Sequence, residues 1–221
     1  MSSTNRGAVR EKNDFYETPA VAARPAMLEL EQMLAGCGEV SFIDAGAGMG
    51  ALTREARAVF GSRAHIAGVE AFPQDMPLHR AVSMFEAQKH AELLAAGKDD
   101  YQARLLAAGA DLVFTEDFTG FGFSKIADVV IANPPFSAAL EFLRHTIEYL
   151  EPSIAAFLLR LNVLGGLDER QDWLEQYPPR AIRVLRDRPD FTGNGGDSIE
   201  YAWFFWGPGI PEGTPPIGWY R

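Results

Sequence analysis

One stretch of the chain decides the fold: Val40-Ser41-Phe42-Ile43-Asp44 is a short apolar run, and Ala45-Gly46-Ala47-Gly48-Met49-Gly50 follows it directly. An apolar run of this length predicts a buried strand, and the pattern from Ala51 to Phe60 predicts a helix. Glycines at the turn let the backbone approach a ligand closely, and the helix start supplies N–H groups that have no acceptor within the helix. The stretch therefore predicts a strand–loop–helix unit with a ligand site at the loop.

The same alternation of strand and helix continues along the chain. It implies a mainly parallel sheet that helices cover on both faces, which is the α/β class. We interpret residues 14–206 as a single domain with a helical insertion at 71–110, between a flexible N-terminal tail (1–13) and a Pro/Gly-rich C-terminal tail (207–221). The other predicted strands are 66–69, 112–115, 126–132, 154–161, 181–185 and 201–206, and the other predicted helices are 18–35, 78–108 with a break near Gly97, 138–150 and 168–176.

Composition narrows the class of protein. The 221 residues are 47% hydrophobic and 23% charged, which is ordinary for a globular chain and sufficient for a full core. No window approaches a membrane span, and the polar start from Met1 to Asn13 lacks the apolar centre of a signal peptide, so we expect a cytoplasmic protein without membrane contact. Cys37 is the only cysteine and the four histidines have no metal-ligand spacing, so we expect neither a disulfide nor a bound metal.

Two carboxylates indicate what the glycine-rich loop binds. Glu70 ends the second predicted strand, where a carboxylate can accept hydrogen bonds from both hydroxyls of a ribose, which indicates a cofactor with a nucleoside. Gly46, Gly48 and Ala51 also satisfy the loose G-x-G-x-x-A pattern of dinucleotide sites, and a plain strand-to-helix turn is a further alternative. Asp44 favours S-adenosylmethionine, because a carboxylate in the loop attracts an ammonium or sulfonium group and repels a pyrophosphate.

A second motif, Asn133-Pro134-Pro135-Phe136, directly follows the apolar run at 126–132. Proline fixes its own φ and restricts the residue before it, so the Asn133 side-chain oxygen and the Pro134 carbonyl form a rigid pair of acceptors. Two such acceptors fit the two hydrogens of a planar amino group, and Phe136 can stack on the ring that carries it. The structural alternative is a Pro-Pro turn with Phe136 packed in the core.

Two further segments complete the predicted pocket. Asp117 and Phe118 follow the third strand, where the carboxylate can accept from an adenine amino group of the cofactor and the ring can stack on that base. A solvated acidic turn with a buried aromatic residue is the alternative for these positions. The segment Asp14-Phe15-Tyr16-Glu17-Thr18-Pro19 has the pattern of a helix cap, and its aromatic pair could close over the methionine end of the cofactor.

Taken in this order, the motifs resemble the class I S-adenosylmethionine-dependent methyltransferases that modify the N6 amine of adenine in DNA. The resemblance covers positions 14–206, and the segments 188–197 and 200–206 are similar to small phage and prophage members of that family. It rests on Phe15-Tyr16-x-Thr18-Pro19, the loop from Asp44 to Gly50, Glu70, Asp117 and Asn133-Pro134-Pro135-Phe136.

The resemblance implies a Rossmann-like sheet of seven strands, with the last one antiparallel, and a methyl transfer onto a flipped adenine. It also implies a role for each matched residue. The catalytic residues would be Asn133, Pro134, Pro135 and Phe136. The cofactor would contact Tyr16, Thr18 and Pro19 in the N-terminal motif, and Asp44, Ala45, Gly46 and Gly48 at its methionine part. Its ribose would contact Glu70 and Ala71, its adenine would contact Asp117 and Phe118, and Asn133 would lie beside the reacting groups.

Substrate recognition has fewer candidates. We expect Phe136 to contact the target base and the loop 187–198, which contains Phe191 and Asn194, to cover it. Arg183 and Arg186 belong to a locally basic segment and are further candidates for substrate contact, although alternating arginines on a strand equally fit a solvated face. A plain hairpin loop is the alternative for 187–198.

Net charge argues against tight binding of DNA by this chain alone. Lys and Arg total 20 against 30 Asp and Glu, a net charge of −10, whereas nucleic-acid-binding domains usually have a basic surface. We therefore expect weak, salt-sensitive DNA binding or a basic partner subunit.

Two alternative functions remain. One is an enzyme of the same fold that acts on RNA or on a protein glutamine amide. The other is a non-catalytic binding protein, but the presence of Asn133, Glu70 and Asp44 argues against it.

Overall fold

The computed structural model describes residues 17–71, 84–122, 127–166, 169–191 and 198–220. Within these ranges one sheet has helices on both of its faces. Its strands are β1 (Val40–Ala45), β2 (Ala64–Val69), β3 (Leu112–Phe114), β4 (Val129–Ala132), β5 (Ile154–Arg160), β6 (Ala181–Leu185), β7 (Tyr201–Trp206) and β8 (Ile217–Tyr220). The helices are α1 (Ala20–Met33), α2 (Ala51–Phe60), α3 (Met84–Ala95), α4 (Asp100–Ala108), α5 (Ala139–Arg144), which continues as a π-helical turn (His145–Leu150), and α6 (Glu169–Gln176).

The sheet has the strand order β3-β2-β1-β4-β5-β7-β6-β8. β1 pairs in parallel with β2 on one side and with β4 on the other, and β4 pairs in parallel with β5. β7 is antiparallel to both of its neighbours, β5 and β6, whereas β8 is parallel to β6. The predicted α/β class, with a mainly parallel Rossmann-like sheet, is confirmed.

The predicted count of seven strands is wrong, because β8 adds an eighth strand at the edge of the described sheet. β7 is antiparallel, as predicted, but it is not the last strand in the chain. β8 lies in the segment 207–221, whose composition indicated a Pro/Gly-rich tail. Its four residues alternate between exposed and half-buried, and so short an edge strand leaves little periodic signal in the sequence.

Two apolar layers hold the helices to the sheet. One layer packs α1 and α2 against one face through side chains such as Leu30, Phe42 and Trp203, and the other packs α5 and α6 against the opposite face. Trp203 is fully buried, and its indole Nε1 donates to the Ala22 carbonyl oxygen at 2.7 Å, which satisfies the polar atom of a large ring. β4 and β7 are buried on both faces, which explains their continuous apolar sequences.

α4 supports the glycine-rich loop from behind. It follows α3, with Gly97 at φ +85° between the two helices. A Cβ atom on Gly68 would lie 2.4 Å from Leu105 Cδ2, and a Cβ atom on Gly50 would lie 2.8 Å from Leu105 Cδ1. Gly50 has φ +77°, so both the available space and the backbone conformation require glycine there.

Arg183 lies inside the protein and not on a surface that a substrate could reach. Its side chain is on β6, where Nε and Nη2 are 2.8 and 2.7 Å from Glu29 Oε1 on α1. Nη1 donates to the Pro215 carbonyl oxygen at 2.9 Å, and the Tyr220 hydroxyl donates to Glu29 Oε2 at 2.5 Å. Burial, and then the negative charge of Glu29, raises the pKa of Tyr220. The expected substrate contact is therefore corrected: Arg183 joins α1 to β6 and to the C-terminal strand.

We expect Arg183→Ala to lower the free energy of unfolding by about 3 kcal/mol, because it leaves the largely buried Glu29 carboxylate without its cation. Arg188→Ala is the matched control. Arg188 pairs with Glu200, and both side chains are about half exposed (51% and 52%). Loss of such a pair changes stability by less than about 1 kcal/mol. Urea denaturation of both variants measures the difference, and equal losses would contradict the structural role of Arg183.

Candidate functional site

A cleft opens at the carboxyl ends of β1, β2 and β4, where parallel sheets commonly bind ligands. It contains about 960 Å³ of space when its open mouth is included. Ten of the predicted site residues line it: Thr18, Asp44, Gly46, Gly48, Glu70, Ala71, Asp117, Phe118, Asn133 and Pro135. The same wall includes residues that were not predicted as cofactor or substrate contacts: Glu17, Ala47, Met49, Ala51, Leu52, Val69, Thr119, Ala138, Glu141 and Phe142.

Some predicted residues lie elsewhere. Ala45 is buried in β1 and Pro19 is the N-cap residue of α1, so each supports a cleft residue beside it and does not line the cleft. Arg186 is exposed beyond the end of β6 and does not line the cleft either. Tyr16 and Asn194 lie outside the described residues, so their predicted contacts stay predictions.

The glycine-rich loop is anchored on the neighbouring strand. The backbone N–H groups of Gly46 and Ala47 both donate to the Val69 carbonyl oxygen, at 2.9 and 3.0 Å. Gly46 has φ +68° and Gly48 has φ +52°, a backbone region that favours glycine. The loop therefore keeps its main chain at the cleft wall without a side chain in the way.

The Glu70 carboxylate closes one side of this loop. Its Oε2 accepts from the Gly48 backbone N–H at 3.0 Å, and the side chain is largely buried. Because the Glu70 backbone N–H donates to the Phe114 carbonyl at 3.0 Å, the residue is also fixed from β3. A carboxylate held in this way presents acceptor oxygens in the cleft, which suits hydroxyl groups of a ligand.

Asp44 places a second carboxylate at the base of the cleft. Its Oδ2 accepts from both the Thr53 backbone N–H (2.9 Å) and the Thr53 hydroxyl (2.7 Å), which ties β1 to the first turn of α2. Its Oδ1 is buried and has no hydrogen-bond partner within the described residues. Burial raises the Asp44 pKa to about 6; the two Thr53 hydrogen bonds and Arg54 oppose this rise, while the charge of Glu70 adds to it.

An unpartnered buried carboxylate oxygen is unfavourable unless a cation or a donor approaches it. The donor and acceptor set of the cleft therefore fits a ligand that has a positive group near Asp44 and hydroxyl groups near Glu70. These are features of the cofactor predicted from the sequence, and the fit rests on Asp44 Oδ1 in particular.

Asp117 and Phe118 form a short turn at the edge of the cleft. Asp117 is exposed, and its Oδ1 accepts from the Thr119 backbone N–H and hydroxyl at 2.9 and 2.8 Å. The Phe118 ring is 2% exposed and packs against Phe142 at 4.9 Å and His145 at 5.1 Å between ring centroids. The structure thus gives Phe118 the features of the buried-aromatic alternative, although the residue borders the cleft.

Asn133 stands where β4 ends. Its side-chain Nδ2 donates to the Thr18 hydroxyl at 3.0 Å, and Thr18 is itself buried. The contact joins two motifs that are 115 positions apart in the sequence. The contact orients the side chain, because the amide is planar and a hydrogen bond from its nitrogen fixes the direction in which its oxygen points.

The proline pair continues the chain into a compact turn. The Ala138 backbone N–H donates to the Pro135 carbonyl at 3.0 Å, and Pro134 is buried. Phe136 follows on the outer side, half-buried, with the guanidinium carbon of Arg160 3.6 Å from its ring centroid. Phe191 reaches the same neighbourhood, because Phe136 and Phe191 both lie against Tyr201, at centroid distances of 6.2 and 5.0 Å.

Sequence reasoning missed two arginines near the site. Arg54 on α2 contacts α3 through Glu86 (2.8 Å), the glycine-rich loop through the Met49 carbonyl (3.3 Å), and Glu17 (3.9 Å). Arg160 ends β5, which is the neighbour of β4 in the sheet. The sequence shows that Arg160 ends an apolar run, but only the pairing of β5 with β4 places it near the Asn133 turn.

Two other classes of feature, a metal-binding cluster and a membrane span, are absent from the described part of the chain. No cluster of three or more His, Cys, Asp or Glu side chains there is arranged to hold a metal ion. Among the helices of the same ranges, none has both the length and the apolar character needed to cross a bilayer.

Comparison with known proteins gives the fold. No protein-family model and no curated protein sequence matches the chain. Many solved structures are similar, and three of them show the range of likeness. The first, from Listeria monocytogenes and assigned as a class I S-adenosylmethionine-dependent methyltransferase, has a TM-score of 0.62 and 13% identity over 91% of this chain and 64% of that one. The second, a type I restriction-modification methyltransferase subunit from Streptococcus thermophilus, has a TM-score of 0.60 and 15% identity over 91% of this chain and 46% of that one.

The third, from Pyrococcus horikoshii and assigned as an RNA methyltransferase, has a TM-score of 0.56 and 19% identity over 87% of this chain and 85% of that one. The chain thus spans less than two thirds of the first two proteins. At these identities the likeness shows the fold, which is that of the class I methyltransferases.

Asp44→Asn tests the electrostatics of the cleft without any ligand. The native pKa of about 6 lies above the ordinary value of 3.8, so the native state binds more protons than the unfolded state between pH 4 and pH 6. The stability linked to Asp44 is therefore present below pH 4 and is lost as pH rises through 6, by about 3 kcal/mol. We expect urea denaturation to show that, as pH rises from 4 to 6, the free energy of unfolding of the wild type falls by about 3 kcal/mol relative to that of Asp44→Asn. Parallel pH profiles would contradict the assignment.

Proposed function

We propose that the protein transfers a methyl group from S-adenosylmethionine to the N6 amino group of adenine in DNA, with the target base flipped out of the helix. One observation supports this most: the cleft with Asp44 and Glu70 and the oriented amide of Asn133 lie at the same edge of the sheet. Similarity to a class I methyltransferase and to a type I restriction-modification methyltransferase subunit supports the reaction class.

In this proposal the cleft residues hold the cofactor. Asp44 Oδ1 faces its positive methionine end, Glu70 accepts from the ribose hydroxyls, and the backbone of the glycine-rich loop lies beneath it. When bound, S-adenosylmethionine supplies a methyl group made electrophilic by the sulfonium. The buried walls exclude water from the reacting groups, so that displacement by the target nitrogen is favoured over hydrolysis.

The Asn133-Pro134-Pro135-Phe136 turn receives the target amine. An exocyclic amine on adenine is a weak nucleophile because its lone pair is delocalised into the ring. The Asn133 side-chain oxygen and the Pro134 carbonyl accept its two hydrogens and favour a tetrahedral nitrogen, and Thr18 keeps the Asn133 amide in orientation. The nitrogen becomes cationic on transfer and then loses a proton readily, so positioning matters more than a strong base.

A second candidate substrate is RNA, which the charge and one comparison favour. The net charge of −10 disfavours tight DNA binding by the chain alone, and a protein assigned as an RNA methyltransferase shares the fold. For DNA, we propose that a basic partner subunit supplies the missing affinity; the similar restriction-modification protein is itself a subunit. A protein glutamine amide would present the same kind of planar nitrogen to Asn133.

Asn133→Ala should reduce methyl transfer by about 100-fold or more while cofactor affinity changes little, because the acceptor pair is lost and the Asp44 and Glu70 side of the cleft is kept. The protein is incubated with radiolabelled S-adenosylmethionine and, in parallel, with unmethylated DNA, transcribed RNA and extract protein. Digestion of the labelled pool identifies the modified nucleotide or residue. Asn162→Ala, at an exposed asparagine in the turn after β5, is the control and should keep full activity. Label in RNA or protein alone, or full activity of Asn133→Ala, would contradict the proposal.

The Asp44 assignment predicts a pH-dependent affinity for S-adenosylmethionine. With a native pKa of about 6, Asp44 loses its negative charge as pH falls from 7 to 5, so affinity should weaken about tenfold. The α-amino group of the ligand stays protonated throughout, since its ordinary pKa is about 7.7–8.0. Calorimetric titration of the wild type and Asp44→Asn measures this. The variant should bind more weakly at pH 7 and show no such slope; a slope retained in the variant would assign the titration to another group.

A further inference from the structure

The outer face of Phe136 is covered by Arg160. Arg160 is the last residue of β5, and its guanidinium carbon lies 3.6 Å from the centre of the Phe136 ring. This is the contact distance of a flat cation stacked on an aromatic face. A nucleobase needs about the same separation to stack, so a base and the guanidinium exclude each other from this face.

The rest of the Phe136 ring is packed against the protein. Phe136 borders the apolar layer that includes Phe42, Trp203 and Tyr201, and its ring centroid is 6.2 Å from that of Tyr201. A planar ligand that stacks on Phe136 therefore has to use the face that Arg160 covers.

Arg160 also contacts Tyr201. Its Nε donates to the Tyr201 hydroxyl at 2.9 Å, and its guanidinium carbon is 5.8 Å from the Tyr201 ring centroid. Tyr201 is fully buried at the start of β7 and its ring contacts Phe191 at 5.0 Å. A fully buried tyrosine thus positions a half-buried arginine over Phe136, and the long arginine stem has more rotatable bonds than the packed ring.

We propose that Arg160 is a positioning residue of the target-base subsite, whose guanidinium occupies the stacking face of Phe136 and leaves it when adenine stacks there. This inference rests on the proposed function, because it takes Phe136 as the surface that receives the target base. A base can then bind to Phe136 only if its stacking replaces the cation–π contact of Arg160. Arg160 would therefore select for bases that stack strongly.

Adenosine is the probe, with S-adenosylhomocysteine at saturation so that adenosine cannot occupy the cofactor cleft. Arg160→Ala uncovers Phe136, and we expect it to bind adenosine about twofold to fivefold more tightly than the wild type, as loss of a competing exposed cation–π contact predicts. Phe136→Ala in the Arg160→Ala background should abolish this gain. Arg188→Ala removes an exposed arginine that pairs with Glu200, away from Phe136, and should bind adenosine like the wild type. Unchanged or weaker binding by Arg160→Ala would overturn the inference.

A second measurement follows the wild-type protein, and a conservative variant serves only to assign the resonance. Because the Arg160 guanidinium carbon lies 3.6 Å from the centre of the Phe136 ring, the ring current should shift the NMR resonance of the adjoining Nε proton upfield. The resonance is assigned by its disappearance in Arg160→Lys. We expect saturating adenosine to move it toward the position of an ordinary arginine, and a resonance that adenosine leaves in place would overturn the inference.

The two proposals fail separately. If DNA takes no label but adenosine still displaces Arg160, the DNA function is wrong and the role of Arg160 stands. If DNA is labelled at adenine while the Arg160 resonance does not respond to adenosine, the methyl-transfer proposal stands and the role of Arg160 is wrong.

Discussion

The parallel register of β1 with its two neighbours is the constraint on which the site depends. Ala45, the last residue of β1, pairs with Val69 at the end of β2 on one side and with Ala132 at the end of β4 on the other. Gly46, Glu70 and Asn133 directly follow these three strands, so the glycine-rich loop, a carboxylate and an amide meet at the same edge of the sheet. A shift of one residue in any strand would reverse the faces of its side chains and separate the three groups.

The cleft keeps polar groups in an environment that the rest of the fold makes apolar. Asp44, on β1, is buried beside α2. Thr53 donates hydrogen bonds to one of its carboxylate oxygens, and the other oxygen has no hydrogen-bond partner within the described residues. Such an arrangement lowers stability at neutral pH, because burial raises the Asp44 pKa. Polar groups that are unfavourable for folding are more common at functional sites than elsewhere.

Particular residues show how far sequence reasoning reached. The strand before Asn133 and the glycine positions were predicted because apolar runs and backbone sterics act between neighbours. Phe118 illustrates a limit, since the same sequence fits a ligand-stacking ring and a buried ring, and packing against Phe142 and His145 distinguishes them. Arg183 illustrates a larger limit. An arginine in a basic segment predicts a charged surface, whereas in the structure Arg183 is buried and pairs with Glu29 on α1.

The sequence by itself determined the α/β class, the order of the motifs and the rigid shape of the Asn133-Pro134-Pro135-Phe136 turn, because periodicity and the restrictions of proline and glycine are local. Only the tertiary structure decided the eighth strand, the internal pairing of Arg183 with Glu29 over 154 positions, and the contact of Arg160 with Phe136. These depend on which strand lies beside which in the sheet. That order is set by long-range packing, and a local pattern does not carry it.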